Sequence, residues 1–471
     1  MSSADATRSS AARSPGRAAA LVLASSLIFV ELLGGVQRYL SQTVLPLVAT
    51  ELDGADLYGP LDAAAQAPMF LMMPVGAWLL SRYRVGPLLA GFTAVTVVGA
   101  ATCAAAQQME VFIAGTAVRA FAAGALATIS MGVISRGLPP RYRQLVLAGM
   151  SGIWVVSSVL GPVYAVSVSE LLGWRWAMLL YLPLLIAARG LIARYMPERT
   201  AQVPQERAPW AWSIVLATGS AVIALPLGVW SVAAVVAGAL LMLRASAAVL
   251  PDGTFRALSG RRAALSALTV TAAVYFGSTI VLSVVAFDGF GLPASRFGYV
   301  IAAPGVAWAV SALWTGSRPA TRDDVFRRRM LLAGTAMTAG VVVLLLATSP
   351  PAAVPAMPPV PSVFVGLLVG GALTGLGMGT LYPDLLGRCL ARPEVDDGIS
   401  EDRMAAAVNV AESVGLAIAT TAAFSWLGTG FGLVDDPARR AQLLYAAMLP
   451  LAVLMLVRLT AAARQSRTGP R

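Results

Sequence analysis

Five ionisable side chains, Glu31, Arg38, Arg119, Asp384 and Glu412, stand inside or at the edge of stretches that are otherwise apolar. A charge held at the centre of a lipid bilayer costs about 2.5–3.5 kcal/mol on insertion scales, so such groups face a bundle interior or a watery cavity. Glu31, Gly35, Arg38 and Gln42 step by four, three and four residues, which places them on one face of a helix. A carboxylate on such a face can carry a proton or bind a cation, and a nearby guanidinium can tune it. Glu31–Arg119 and Arg38–Glu31 pairings are both geometrically open. The plain alternative is a buried ion pair that fixes packing. In NVAESVG (409–415), Asn409, Glu412 and Ser413 share a second polar face. Asp384 follows Pro383 near the end of its run.

These side chains must be positioned by membrane helices. Of 471 residues, 58% are apolar and 12% charged, outside the range of soluble globular domains. The apolar residues come in runs of about 20, the length that crosses a bilayer of about 30 Å. The formal charge of +11 reads as the arginine excess that orients membrane proteins, not as a nucleic-acid surface. The 34 basic residues are all Arg, and His is absent. Schiff-base lysines, His-based acid/base chemistry and His metal sites are therefore excluded. Cys103 and Cys389 are far apart and form no CxxC. No metal and no cofactor is expected.

The runs predict an N-terminal tail (1–17), a six-helix bundle (18–196), a polar linker (197–209), two inserted helices (210–247), a second six-helix bundle (263–463) and a C-terminal tail (464–471). With both termini placed in the cytoplasm, most arginines fall on that side, including Arg82, Arg84, Arg261, Arg262 and Arg327 to Arg329. Arg175, Arg296, Arg439 and Arg440 stay outside. This asymmetry requires residues 210–247 to cross twice or not at all. Fourteen helices are expected, or twelve without that pair. ELDGADLYG (51–59) and FDGFGLPASRFG (287–298) repeat an Asp-Gly before a helix in each half, a hint of duplicated units. Gly371, Gly375 and Gly379 form a smooth strip permitting close helix approach.

Several motifs resemble the major facilitator superfamily. RAFAAG (119–124) resembles its helix-4 arginine motif, and SSVLGPVYAV (157–166) the Gly-Pro motif of its drug:proton antiporters. GWRWAMLLYLPL (173–184), QTVLPLVATELDG (42–54) and GFGLPASRFGYVIAAPGVAWAVSALWTG (289–316) are similar to segments of the fourteen-helix antiporter branch. The chain departs from the pattern in GAWLLSRYRVG (76–86), where Ser81 occupies the position of an acidic gate residue although Arg82 and Arg84 persist. Ala122 and Ala123 replace the usual residues of the helix-4 motif, and Ala165 and Val166 stand where paired glycines are usual.

The resemblance implies an all-α fold in which two six-helix bundles rock about a central cavity lined by helices 1, 4, 9 and 12. It implies that Arg119 assists proton coupling, with Glu31 as the expected proton carrier; Glu412, Arg38 and Asp384, as ionisable groups within the spans, are further proton-coupling or cavity candidates. Gly35, Gln42, Trp154 and Asn409 would line the substrate cavity, and Gly161 and Pro162 would bend and seal helix 5. The expected function is a proton-coupled exporter of small organic molecules in the plasma membrane. The expected protein is a monomer whose partners are substrate, protons and lipids. A metabolite importer is the near alternative. A membrane glycosyltransferase using Glu51, Asp53 and Asp56 is a more distant one.

Overall fold

The computed structural model describes residues 17–138, 140–196, 210–320, 322–349, 360–391, 399 and 401–464. Residues 1–16, the 197–209 linker and 465–471 lie outside them, as do the side chains of Ser81 and Trp154.

Among the described residues fourteen helices follow one another. The first bundle contains α1 (Arg17–Glu51), α2 (Tyr58–Arg82), α3 (Val85–Ala104), α4 (Met109–Gly137), α5 (Pro140–Leu172) and α6 (Trp174–Tyr195). A hairpin of α7 (Trp210–Ile223) and α8 (Ser231–Val249) comes next. The second bundle contains α9 (Gly260–Gly289, ending in a π-helical turn), α10 (Ala294–Gly316), α11 (Asp323–Ala347), α12 (Val360–Leu390), α13 (Glu401–Thr429) and α14 (Pro437–Ala462). Twelve helices are long and apolar enough to cross a bilayer. The remaining two supply shorter apolar segments, Val156–Leu172 of α5 and the 14 residues of α7. At about 1.5 Å per residue α7 rises about 21 Å, so it reaches a full span only with the turn that joins it to α8.

The two bundles repeat one packing scheme. In the first, α2 packs on α4, α3 on α4, α1 on α5, and α6 on both α1 and α3. In the second, α10 packs on α12, α11 on α12, α9 on α13, and α14 on both α9 and α11. Shifting the helix number by eight converts one set into the other. The repeat extends to single residues. Gly99 and Gly115 face each other where α3 crosses α4, and Gly340 and Gly370 do the same where α11 crosses α12; a Cβ on any of them would press on the facing backbone. Bare glycine on both helices lets the backbones touch and maximises dispersion contact.

The halves meet along two seams related by the same shift, α5 against α10 and α2 against α13. The inserted hairpin covers the second seam. Leu216, Ile223, Met242 and Ala245 of the hairpin form a buried cluster with Phe70 of α2 and with Val414 and Ala417 of α13. One end of the molecule, the near end, holds Arg17 and Ala462, and the opposite, far end holds Tyr58.

Candidate functional site

Arg38 organises the interior. It is exposed, and its charge acts on Glu31 of its own helix, Asp62 of α2, Tyr275 of α9 and Glu412 of α13. An exposed guanidinium with ionisable groups of α2, α9 and α13 within its electrostatic reach is the arrangement that a polar, hydrated chamber between the bundles would give. Glu31, Asp62 and Glu412 are each half-buried. Asn409, one turn from Glu412, is exposed toward the near end of α13. Gln42 is half-buried on α1.

Each carboxylate is held differently. Thr420 and Thr421 of α13 donate to Asp62 Oδ2 at 3.0 and 2.7 Å, and Gln66, one turn along α2, also hydrogen-bonds it. Asp62 thus bridges the α2–α13 seam. The Tyr382 hydroxyl of α12 donates to Glu412 Oε2 at 2.9 Å. Glu31 has Arg38 two turns away as its charged neighbour. Behind Glu412 lies an aromatic wall. Trp308 of α10 packs edge-on against Tyr275 (4.9 Å between centroids) and Tyr382 (5.6 Å), and Phe276 joins the group. Carboxylates facing an aromatic wall provide both a charge partner and stacking surfaces for a flat organic molecule.

Asp62 and the aromatic wall did not stand out as sequence features. Asp62 lies in the first turns of α2, where acidic residues read as a helix end. The signal was its pairing with Gln66 at i, i+4 inside an apolar span. The wall residues lie on three helices, and no spacing in the chain connects them.

Three expected site residues lie elsewhere. Gly35 does not line the chamber: it is buried in the α1–α5 seam, where a Cβ would strike the Ser157 side chain, and the Ser157 hydroxyl donates to the Leu32 carbonyl at 3.3 Å. Arg119 does not meet Glu31. It turns from α4 toward α3 and α6, with Cys103 as hydrogen-bonding partner and Nη1 3.7 Å from Met178 Sδ. The groups around Arg38 come from α1, α2, α9 and α13, with Tyr382 of α12 beside Glu412. Asp384 is not in the chamber either. It pairs with Arg329 at 2.9 Å and accepts the Ala320 N–H at 3.0 Å, clasping the α10–α11 loop at the near end. Breaking a buried pair leaves an uncompensated charge. Asp384→Asn is thus expected to cost about 3–5 kcal/mol and to lower the melting temperature, with transport per folded molecule retained.

Of the conformational motifs, Gly161 packs bare against Tyr39 of α1 and approaches the Val36 carbonyl, and α5 continues unbroken through Pro162. Arg82 stacks over Trp78 at 4.6 Å, and Arg84 occupies the N-cap position of α3 at the exposed near end. Trp174 Nε1 donates to Glu51 at 2.6 Å, and Arg175 pairs with the same carboxylate and with the Ala106 carbonyl at 2.9 Å. The Trp-Arg segment thereby ties α1, α6 and the α3–α4 turn together. Glu51 is engaged in structure, and no group of three or more metal-ligating side chains occurs among the described residues.

At the far end the halves are joined directly. The Tyr58 hydroxyl donates to Asp288 Oδ2 at 2.7 Å, linking α2 to the end of α9, and the Tyr58 ring lies against Phe424. Gly59 abuts Ser425, and Gly428 abuts the backbone of Ala55 and Asp56. A surface groove lined by Pro68, Leu71, Phe121 and Ala217 lies on the outer wall of α2, α4 and α7, away from these carboxylates.

Residues 27–383 match the profile of the Major Facilitator Superfamily. The chain belongs to that superfamily. It is a multi-pass membrane transporter of small molecules, not an enzyme. It is 27% identical over 485 aligned residues to a protein of Mycobacterium tuberculosis named "Probable multidrug-efflux transporter", covering 94% of this chain and 95% of that one. A multidrug efflux pump of Staphylococcus aureus is 21% identical over 37% of this chain and 39% of its own. An MFS-type transporter of Acremonium sp is 28% identical over 36% of this chain, and the match spans only 29% of that relative. Among solved structures, a POT family transporter in complex with 5-aminolevulinic acid aligns with a TM-score of 0.62 at 12% identity, over 92% of this chain and 95% of its own. The human organic anion transporter MFSD10 aligns at 0.58 with 16% identity, over 93% and 99%. These two likenesses concern the fold.

Proposed function

We propose that this transporter exports amphiphilic organic molecules, cationic ones above all, in exchange for protons. The observation that carries the reading is the Arg38 guanidinium set among three carboxyl groups, Glu31, Asp62 and Glu412, drawn from α1, α2 and α13. Three acids around one base leave room for an added positive charge, which a proton or a cationic substrate can supply in turn. Competition between the two for one set of carboxyls is the requirement for exchange. The Trp308 and Tyr382 rings, backed by buried Tyr275, stack the apolar body of the substrate. The multidrug-efflux name of the full-length mycobacterial relative agrees with export.

The chamber alternates between two openings. The bonds that join the halves at the far end, Tyr58–Asp288 and Asp62–Thr420/Thr421, support a state closed there and open toward the near end. The arginine excess of the near-end loops supports placing that end, with both termini, in the cytoplasm, in a plasma-membrane protein that works as a monomer in its annulus of lipid. Opening to the outside requires the far-end contacts to part. Asp62 then exchanges its threonine partners for water, and proton traffic is coupled to the gate.

Everted vesicles energised to an acidic lumen test the proposal. Adding a cationic aromatic dye such as ethidium is expected to alkalinise the lumen as the dye accumulates, and a protonophore is expected to stop both. Dye uptake that persists at full rate without a pH gradient would refute proton exchange.

A further inference from the structure

The two seams between the bundles are closed by different means. In the α2–α13 seam, threonines of α13 donate to Asp62, about one turn below Tyr58, and the inserted hairpin covers the seam. In the α5–α10 seam two glycines of α10 set the approach. Gly298, near the far end, lies against Val166 of α5, and Gly305, about two turns deeper, lies against Ser158. A Cβ on Gly305 would stand 2.5 Å from the Ser158 Cβ and 2.5 Å from the Tyr39 hydroxyl. A third helix therefore enters this seam, because Tyr39 belongs to α1.

The Tyr39 ring spans the seam from one bundle to the other. At its root, Gly161 of α5 is bare where a Cβ would strike the Tyr39 Cβ. At its tip, Gly305 of α10 is bare beneath the hydroxyl. Glycines on two different helices thus make room for one side chain. Tyr39 is half-buried and follows Arg38, the exposed group of the chamber, directly in the chain. Its root is fixed in the first bundle and its tip rests on the second. A movement that draws α10 away from α5 must therefore part the ring from Gly305.

We propose that Tyr39 is the positioning residue that closes the α5–α10 seam, its ring bridging from Gly161 to Gly305 and leaving Gly305 when the chamber opens outward. Asp62 closes the other seam through hydrogen bonds. Tyr39 does so by steric fit, which is why both ends of its ring meet glycine. The assignment rests on the near-end-open chamber proposed above and is independent of proton exchange.

The test is a distance measurement on the purified full-length protein. Spin labels are placed at Glu110→Cys and Arg296→Cys, exposed far-end positions of α4 and α10, while Cys103 and Cys389 are buried. Their separation is read by double electron–electron resonance. With no further change the pair is expected to show one dominant separation. Tyr39→Leu, which removes the ring, and Gly305→Ala, which holds α10 off α5, are each expected to add a longer one. Ethidium transport by either variant is expected to keep the wild-type KM and to lose maximal rate, because re-closing the far end becomes the slow step. Should Tyr39→Leu fail to fold, Gly305→Ala, a single added methyl, carries the comparison. An unchanged separation in the variants, or a raised KM with the maximal rate kept, would overturn the seal and make Tyr39 a wall of the substrate site. A separation that shortens in the variants would mean that the wild type is open at the far end, which overturns the near-end-open reading and the seal with it. Failure of proton exchange in vesicles would leave these separations as they are.

Discussion

Glu31→Gln is expected to abolish coupled export while the protein still folds and reaches the membrane. Glutamine matches glutamate in size and hydrogen-bonding reach, so packing on α1 survives, but it cannot release or take up a proton. Among the described residues Glu31 has Arg38 as its charged neighbour and no hydrogen-bonding anchor comparable to those of Asp62 and Glu412. A carboxyl without such an anchor is the one whose proton can leave and return as the chamber fills. In everted vesicles the variant is expected to lose dye-driven alkalinisation by about 100-fold or more, on the order of what loss of a positioned proton-transfer group costs. Full coupled transport by Glu31→Gln would transfer the role to Glu412 or Asp62.

Gly375→Val is expected to cost both stability and the geometry of the aromatic wall. Gly375 sits on α12 where that helix crosses α10, and a Cβ there would collide with the Pro304 carbonyl. The obstacle is backbone, which cannot swing aside as a side chain can. Gly379, one turn on, meets the Trp308 carbonyl in the same way, so the helices cannot separate at one point without opening the next. Overpacking of a core costs about 1–3 kcal/mol and occasionally more, and a β-branched side chain against rigid backbone falls at the upper end. The same crossing holds Trp308 in the aromatic wall. Thermal melting and size-exclusion profiles of the purified variant are expected to show a marked loss of folded protein. A Gly375→Val variant with wild-type melting would mean that α10 and α12 do not touch there.

The membrane architecture was legible because it rests on local signals. Apolar runs of bilayer length and arginine-rich loops mark spans one by one, and neither requires knowing which helix touches which. The Gly371–Gly375–Gly379 strip likewise announced a close crossing, and it lies against Pro304 and Trp308 of α10. The orientation of a side chain around its helix was less legible. Gly35 shares a helical face with Glu31 and Arg38 by spacing, yet α5 packs so near that Gly35 serves the seam while Arg38 reaches the chamber. Arg119 has the type and depth of a chamber residue, but its long side chain follows α3 and α6. Asp384 lies near the membrane edge, where an ion pair with Arg329 could not be told from a site until the partner was seen. Asp62 stayed hidden because its threonine partners lie 358 and 359 residues away in the chain.

Proton exchange at the carboxyls around Arg38 is tested most directly by counting protons on substrate binding. Ethidium binding to the purified protein can be titrated calorimetrically in buffers of different ionisation enthalpy, for wild type and for the Glu31→Gln/Glu412→Gln double variant. The account predicts that wild type releases close to one proton per dye bound and that the double variant releases none. Dye that binds wild type with no proton released, at a pH where transport is coupled, would contradict it.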